Sequence, residues 1–151
     1  MKKIIGYHQY KNDIFNKLAF QFEPGKKILD VCWGDAGVAE IFMKEFELDV
    51  YVIDVYRHEN VGKISGFKFQ QGDIFKIPFE DHCFDYVFLH DILHHIDEKN
   101  QAYENHIRGL SEIKRVTKKN GIIATRKKNN IHLHFIGFVM CAGFSGSLLC
   151  V

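Results

Sequence analysis

The sequence predicts a doubly wound α/β domain, a mostly parallel sheet with helices on both faces. Three observations carry this. Short apolar strand patterns alternate with helical ones along the chain. Several strand patterns are apolar almost throughout, as strands covered on both faces must be. A turn containing glycines joins the first strand pattern to the first helical one.

The elements follow in order. Ile14, Leu18 and Phe22 recur every four residues and predict a covering helix, ended by Pro24-Gly25. Strand patterns occupy residues 26–31 (KKILDV), 49–55 (DVYVIDV), 67–73 (FKFQQGD), 85–90 (DYVFLH) and 121–125 (GIIAT). Between them, Val38, Ile41, Phe42 and Phe46 form one helical stripe, and Tyr103, Ile107, Leu110, Ile113 and Val116 form a second. Lys118 and Lys119 suit the negative end of that second helix, and Asn120-Gly121 can take its left-handed cap. Residues 131–151 lack Asp, Glu, Lys and Arg and follow Arg126, Lys127 and Lys128. That run reaches the roughly 20 residues of a membrane span. His132, His134, Ser145 and Ser147 argue instead for an apolar helix closed by Gly143, then a strand beginning near Ser147.

Composition bounds the function. With 151 residues, 46% apolar and 26% charged, the chain suits one soluble domain with a single core. A formal net charge of +1 provides no global field to attract nucleic acid or an anionic membrane. Cys32, Cys83, Cys141 and Cys150 show neither a C-x-x-C pair nor a disulfide framework, which predicts reduced thiols in a cytoplasmic protein. The start, MKKIIGYHQYKN, has too short an apolar stretch for an export signal.

The chemistry begins at the turn after the first strand pattern. Cys32-x-Gly34-x-x-Gly37 is a G-x-G-x-x-G loop with its first glycine replaced, and Asp54 lies about 20 residues on, placed to take ribose hydroxyls. Glycine suits such a turn because a Cβ holds the backbone away from a ligand and because some positions need positive φ. Together these features predict an adenosine-containing cofactor. Asp30 narrows the choice: an acid two residues before the first glycine position repels a pyrophosphate but favours a cationic ligand.

From these residues onward the chain resembles the class I S-adenosylmethionine-dependent methyltransferases, particularly the UbiE-like small-molecule group. ILDVCWGDAG is similar to their D-x-G-x-G-x-G loop and VYVIDV to their ribose-binding strand end. GDIFKIPFEDHCFDYVFLHDILHHI resembles their adenine-binding acid, Pro-Phe turn and fourth strand. LSEIKRVTKKNGIIAT resembles the helix and fifth strand written E-x-x-R-V-L-K-P-G-G, and CAGFSGSLLCV the A-G-F turn entering the sixth strand. The resemblance implies a Rossmann-like sheet and S-adenosylmethionine as cofactor. It divides a single domain over 1–151 into a covering region at 1–25, a cofactor-binding core at 26–125, and a final helix with the start of a sixth strand at 126–151. It implies that Asp30, Cys32 and the backbone around Gly34 border the methionine end, and that Asp54 accepts from the ribose. Asp73 would accept from the adenine amino group with Ile74 against the ring, and His90 would stand near the methyl group.

Two departures mark the loop. Cys32 and Ala36 stand at its first and third glycine positions, and Trp33 follows the cysteine. A cysteine there also resembles the D-x-C loop of some RNA cytosine methyltransferases. Less room for the ligand is expected, so Cys32→Gly should tighten binding.

Methyl transfer is an in-line displacement, so positioning and exclusion of water are the protein's main tasks. An acceptor that must lose a proton would find it a base in His90, His94 or His95. The rival for this segment is a metal-dependent hydrolase, because His90-Asp91-x-x-His94 is similar to H-E-x-x-H. The shorter acid, the lack of an obvious third ligand and the strand pattern through His90 weigh against it, and no metal is expected. The late basic residues Lys114, Arg115, Lys118, Lys119, Arg126, Lys127 and Lys128 lack interleaved aromatics, so a small-molecule acceptor is expected in preference to nucleic acid. The family's sheet is normally completed by a seventh, antiparallel strand that this chain does not reach. An open apolar edge then predicts a homodimer, poor solubility or a truncated product, and a non-catalytic or truncated relative binding the cofactor weakly or not at all is the alternative function.

Overall fold

The computed structural model describes residues 11–12, 20–32, 37–59, 61–90, 92, 96, 102–127 and 130–135. Strand β1 (Lys27–Val31) leads into helix α1 (Gly37–Phe46), followed by β2 (Asp49–Asp54), β3 (Lys68–Gln71) and β4 (Phe84–His90). Helix α2 (Ala102–Val116), β5 (Thr117–Lys127) and β6 (Asn130–Phe135) complete the described elements. The sheet order is β3-β2-β1-β4-β5-β6. The first five strands are parallel and β6 is antiparallel to β5. The chain winds outward from β1 to β3, then returns to lay β4 on the other side of β1. That reversal marks the switch point of the sheet, and sheets of this kind take ligands beyond the carboxyl ends of the two strands that flank it, here β1 and β4.

The central strands β1, β2 and β4 are buried on both faces, and strand alternation decides which residue serves which face. Ile28, Val50, Val52, Tyr86 and Phe88 pack with Val38, Ile41 and Phe42 of α1. Leu29, Val31, Ile53, Val87 and Leu89 pack with Ile113 and Val116 of α2. The α1 side is closed by Phe22, which is buried and outside any helix. Its ring lies edge-on to Phe42, Phe46 and Tyr86 at centroid distances of 5.4, 4.7 and 5.0 Å, a geometry that aligns ring edges with ring faces. Pro24-Gly25 does form a turn, with Gly25 at φ 77°, while Ile14 and Leu18 lie outside the described residues. Lys11 reaches Glu45 of α1, Nζ to Oε1 2.6 Å.

Three expectations require correction. Helix α2 ends at Val116 without using Asn120-Gly121, both of which lie within β5. Its last carbonyls are satisfied from elsewhere: the N–H groups of His82 and Cys83 donate to the carbonyls of Arg115 and Val116 at 2.8 and 3.0 Å, and Thr117 Oγ1 donates to Ile113 O at 2.6 Å. Gly121 is needed for a close approach instead, since a Cβ there would stand 2.9 Å from the carbonyl oxygen of Asp85, beside the register shift between Phe84 and Tyr86. Second, Ile107 and Leu110 are exposed, because α2 turns Gly109 towards Ile74 and Ile96. Third, residues 131–135 belong to β6, not to a helix, and β6 covers the edge of β5. The Gly143 helix end and the strand near Ser147 lie outside the described residues. Among the described residues, no helix is long and apolar enough to cross a membrane.

Candidate functional site

The turn after β1 has the geometry of a glycine position. Cys32 adopts φ 64°, the left-handed region in which a Cβ crowds the following carbonyl. Its N–H donates to Ile53 O at the end of β2, 2.9 Å, which ties the turn to the neighbouring strand. The half-buried side chain packs against the cluster that includes Val31, Ile53 and Ile74.

Three carboxylates share the carboxyl edge of the sheet with this thiol. Asp30 is 1% exposed within β1 and shares the parity of Ile28, which assigns it to the α1 side of the sheet. Asp54 ends β2 and is half-buried; its Oδ1 accepts the N–H of Tyr56 at 3.0 Å and its carbonyl accepts the N–H of Gly72 at 3.0 Å. Asp73 follows β3 and is exposed; its Oδ1 accepts the N–H of Phe75 at 2.9 Å and its carbonyl the N–H of Lys76 at 3.0 Å. Burial first, and then the negative charges of Asp54, Asp30 and Asp73, push the Cys32 thiol up to about 12. The thiol is therefore protonated at neutral pH. The parallel register of β1, β2 and β3 delivers all three acids to the same edge of the sheet as this turn.

Ile74 is buried beside Asp73. His90 is the last residue of β4, half-buried, with its ring 6.3 Å from that of Phe88. The register pairs Val31 with Leu89, so Cys32 and His90 leave the sheet on adjacent strands. Asp30, Cys32, Asp54, Asp73, Ile74 and His90 thus converge on one edge, whereas Gly34, His94 and His95 lie outside the described residues, as do Trp33 and Ala36. The extended backbone through His90 removes it from the helical face that an H-x-x-x-H metal pair needs. Among the described residues no group of His, Cys, Asp or Glu is arranged to hold a metal ion. The three carboxylates offer acceptors and negative charge. They suit a ligand bearing cationic, hydroxyl and amino groups and oppose a phosphate.

The motif pair Glu112 and Arg115 acquires a structural meaning that its spacing did not disclose. Arg115 donates to both carboxylate oxygens of Glu112, to Ile77 O at 2.9 Å, to Phe79 O at 2.8 Å and to Asp81 Oδ1 at 2.8 Å. Glu112 Oε2 also accepts the N–H of Ile77 at 2.9 Å. The bonds from Arg115, countered by burial and aided by the Ile77 N–H, hold the Glu112 carboxyl below its usual range. This clamp fastens α2 to the turn that follows Asp73 and Ile74.

Comparison with known proteins gives a consistent result. The methyltransferase domain family matches residues 29–125. Over 133 residues the chain is 29% identical to the demethylmenaquinone methyltransferase of Staphylococcus carnosus, covering 81% of this chain and 52% of that protein. It is 32% identical over 109 residues to a sterol 24-C-methyltransferase of Gibberella zeae, covering 66% of this chain and 27% of that protein. Among solved structures, a SAM dependent methyltransferase from Aquifex aeolicus superposes with a TM-score of 0.59 at 25% identity, covering 76% of this chain and 62% of that one. The Haemonchus contortus phosphoethanolamine N-methyltransferase 2 in complex with S-adenosyl-L-methionine gives 0.60 at 24% identity, covering 78% and 27%. The chain spans at most about half the length of the curated relatives it matches.

Proposed function

The chain belongs to the methyltransferase domain family, and from that premise we propose that it binds S-adenosylmethionine at the carboxyl edge of its sheet and directs methyl transfer to a small-molecule acceptor. The observation that supports the reading is that Asp30, Asp54 and Asp73 stand at or just beyond the carboxyl ends of three adjacent parallel strands, β1, β2 and β3. When bound, S-adenosylmethionine supplies a methyl group on a sulfonium, activated for in-line displacement.

The residues have distinct tasks. Buried Asp30, with the backbone around Gly34, balances the positive charge of the methionine end, where low dielectric strengthens the attraction. Asp54 accepts from the ribose hydroxyls, charge-assisted bonds about twice as strong as neutral ones. Asp73 accepts from the adenine amino group and Ile74 provides an apolar surface for the ring. Cys32, protonated at neutral pH, presents no thiolate to compete for the methyl group. His90, His94 and His95 are the bases proposed for an acceptor that must lose a proton. The small-molecule preference is supported by relatives whose names specify demethylmenaquinone, a sterol and phosphoethanolamine.

Incubation with methyl-labelled S-adenosylmethionine and a cell extract, followed by ultrafiltration, tests the acceptor class. Label should appear in the low-mass fraction as a new compound and depend on Asp54. Label retained on RNA or protein would contradict the small-molecule assignment, and no transfer to any fraction would favour a binding role alone.

A further inference from the structure

We propose that Glu112 and Arg115 are positioning residues for the adenine end of the site, fixing Asp73 and Ile74 through the turn at Ile77 and Pro78. The inference rests on the cofactor reading given above. Neither side chain lies at the carboxyl edge among the three acids; both act from behind it.

The mechanical path is short. Arg115 is a planar fork whose donors meet two backbone carbonyls, of Ile77 and Phe79, while Glu112 takes the Ile77 N–H. Both the N–H and the C=O of Ile77 are therefore held by one helix, and its side chain is 2% exposed. Pro78 follows, and its ring stands so close to Gly72 that a Cβ there would come within 2.7 Å of Cδ. Gly72 adjoins Asp73, whose own carboxylate and carbonyl are engaged by Phe75 and Lys76. Ile74 packs back onto Gly109 of α2, at 3.5 Å from a Cβ built there. The loop bearing Asp73 and Ile74 is thus bounded on both sides by contacts that α2 organises. Lysine in place of Arg115 keeps the charge but offers one flexible point donor in place of a fork, so the turn would lose its second carbonyl anchor without losing its charge balance.

The experiment compares wild type with Arg115→Lys and Glu112→Gln in two ways. Hydrogen exchange of the ligand-free chain should show faster exchange at the Phe75 and Lys76 amides in both variants, with β1 and β4 protection unchanged. Calorimetry with S-adenosylhomocysteine and S-inosylhomocysteine reads the adenine end directly, because the inosyl compound replaces the amino donor facing Asp73 with a carbonyl. Wild type should prefer the adenosyl ligand, and Arg115→Lys should weaken that ligand about tenfold and move the ratio of the two affinities towards one. An unchanged ratio, whether both ligands weaken equally or neither does, would overturn the positioning role. Unchanged exchange at Phe75 and Lys76 would overturn the mechanical path. A wild-type chain that binds neither ligand would overturn the cofactor reading and the adenine assignment together, and the exchange result would still decide whether the clamp holds the turn.

Discussion

Cys32 combines two costs at one position. A side chain with φ 64° carries about 1 kcal/mol of backbone strain, and its thiol sits amid negative charge. Glycine would remove both, along with the packing of the thiol against the Ile53 and Ile74 cluster. Cys32→Gly is expected to bind S-adenosylhomocysteine severalfold more tightly by calorimetry; equal or weaker affinity would show that the side chain does not crowd the site. The same variant tests the electrostatics. Because the folded-state thiol is pushed up to about 12 from an ordinary 9.0, the unfolded chain loses this proton first, and stability falls as pH rises beyond 9. The wild-type stability should therefore decline more steeply between pH 9 and 11 than that of Cys32→Gly. Parallel curves would contradict the raised thiol, and with it the burial that is its main cause and the added effect of the three acids. The sequence marked position 32 as a glycine site through its place after an apolar strand. It could not reveal that a cysteine there adopts the left-handed geometry with its N–H bonded to Ile53 O, a partner on a separate strand.

At the scale of the elements, the Asp73 loop is the part most sensitive to volume. Gly72→Ala would place a Cβ against the Pro78 ring, which cannot rotate away, and overpacking of this kind costs on the order of 1–3 kcal/mol. A lower urea midpoint with an unchanged slope is the expected result; an unaltered midpoint would show that the turn yields freely. Strands β1, β2 and β4 were legible because each is an apolar run, and all five predicted strands begin and end within a few residues of their predicted limits. The end of α2 was not, because His82 and Cys83 satisfy its carbonyls from a distant segment. The buried face of α2 was misread for a related reason: Gly109 faces Ile74 but has no side chain to contribute to an apolar stripe. Strand β6 did leave a signal. Ile131, His132, Leu133, His134 and Phe135 alternate apolar and polar, the period of a strand, but the lack of formal charge drew attention to length instead of period. Glu112 and Arg115 were visible as a motif, while the role of Arg115 required knowing that the Ile77 and Phe79 carbonyls lie within its reach.

Across the whole molecule, a nearly neutral chain sets distinct charged groups at the two ends of its strands. Asp30, Asp54 and Asp73 stand at or beyond the carboxyl ends of β1, β2 and β3, while Lys26 and Lys118 approach Asp85 at the opposite edge, at 3.9 and 2.8 Å. Burial would raise the Asp85 carboxyl, but Lys118 Nζ at 2.8 Å and the Lys27 N–H at 3.0 Å outweigh it and hold it below the usual range. Net charge conceals this arrangement; topology creates it, because parallel strands deliver all their carboxyl ends to one side. The central claim is that this edge holds an adenosyl cofactor through acids from separate strands. Calorimetric titration of S-adenosylhomocysteine into wild type and Asp54→Asn tests it most directly. Wild type should bind one equivalent, and Asp54→Asn should bind at least about tenfold more weakly at an unchanged melting temperature, the value of a charge-assisted hydrogen bond. No binding by wild type, or equal affinity in the two proteins, would contradict the claim.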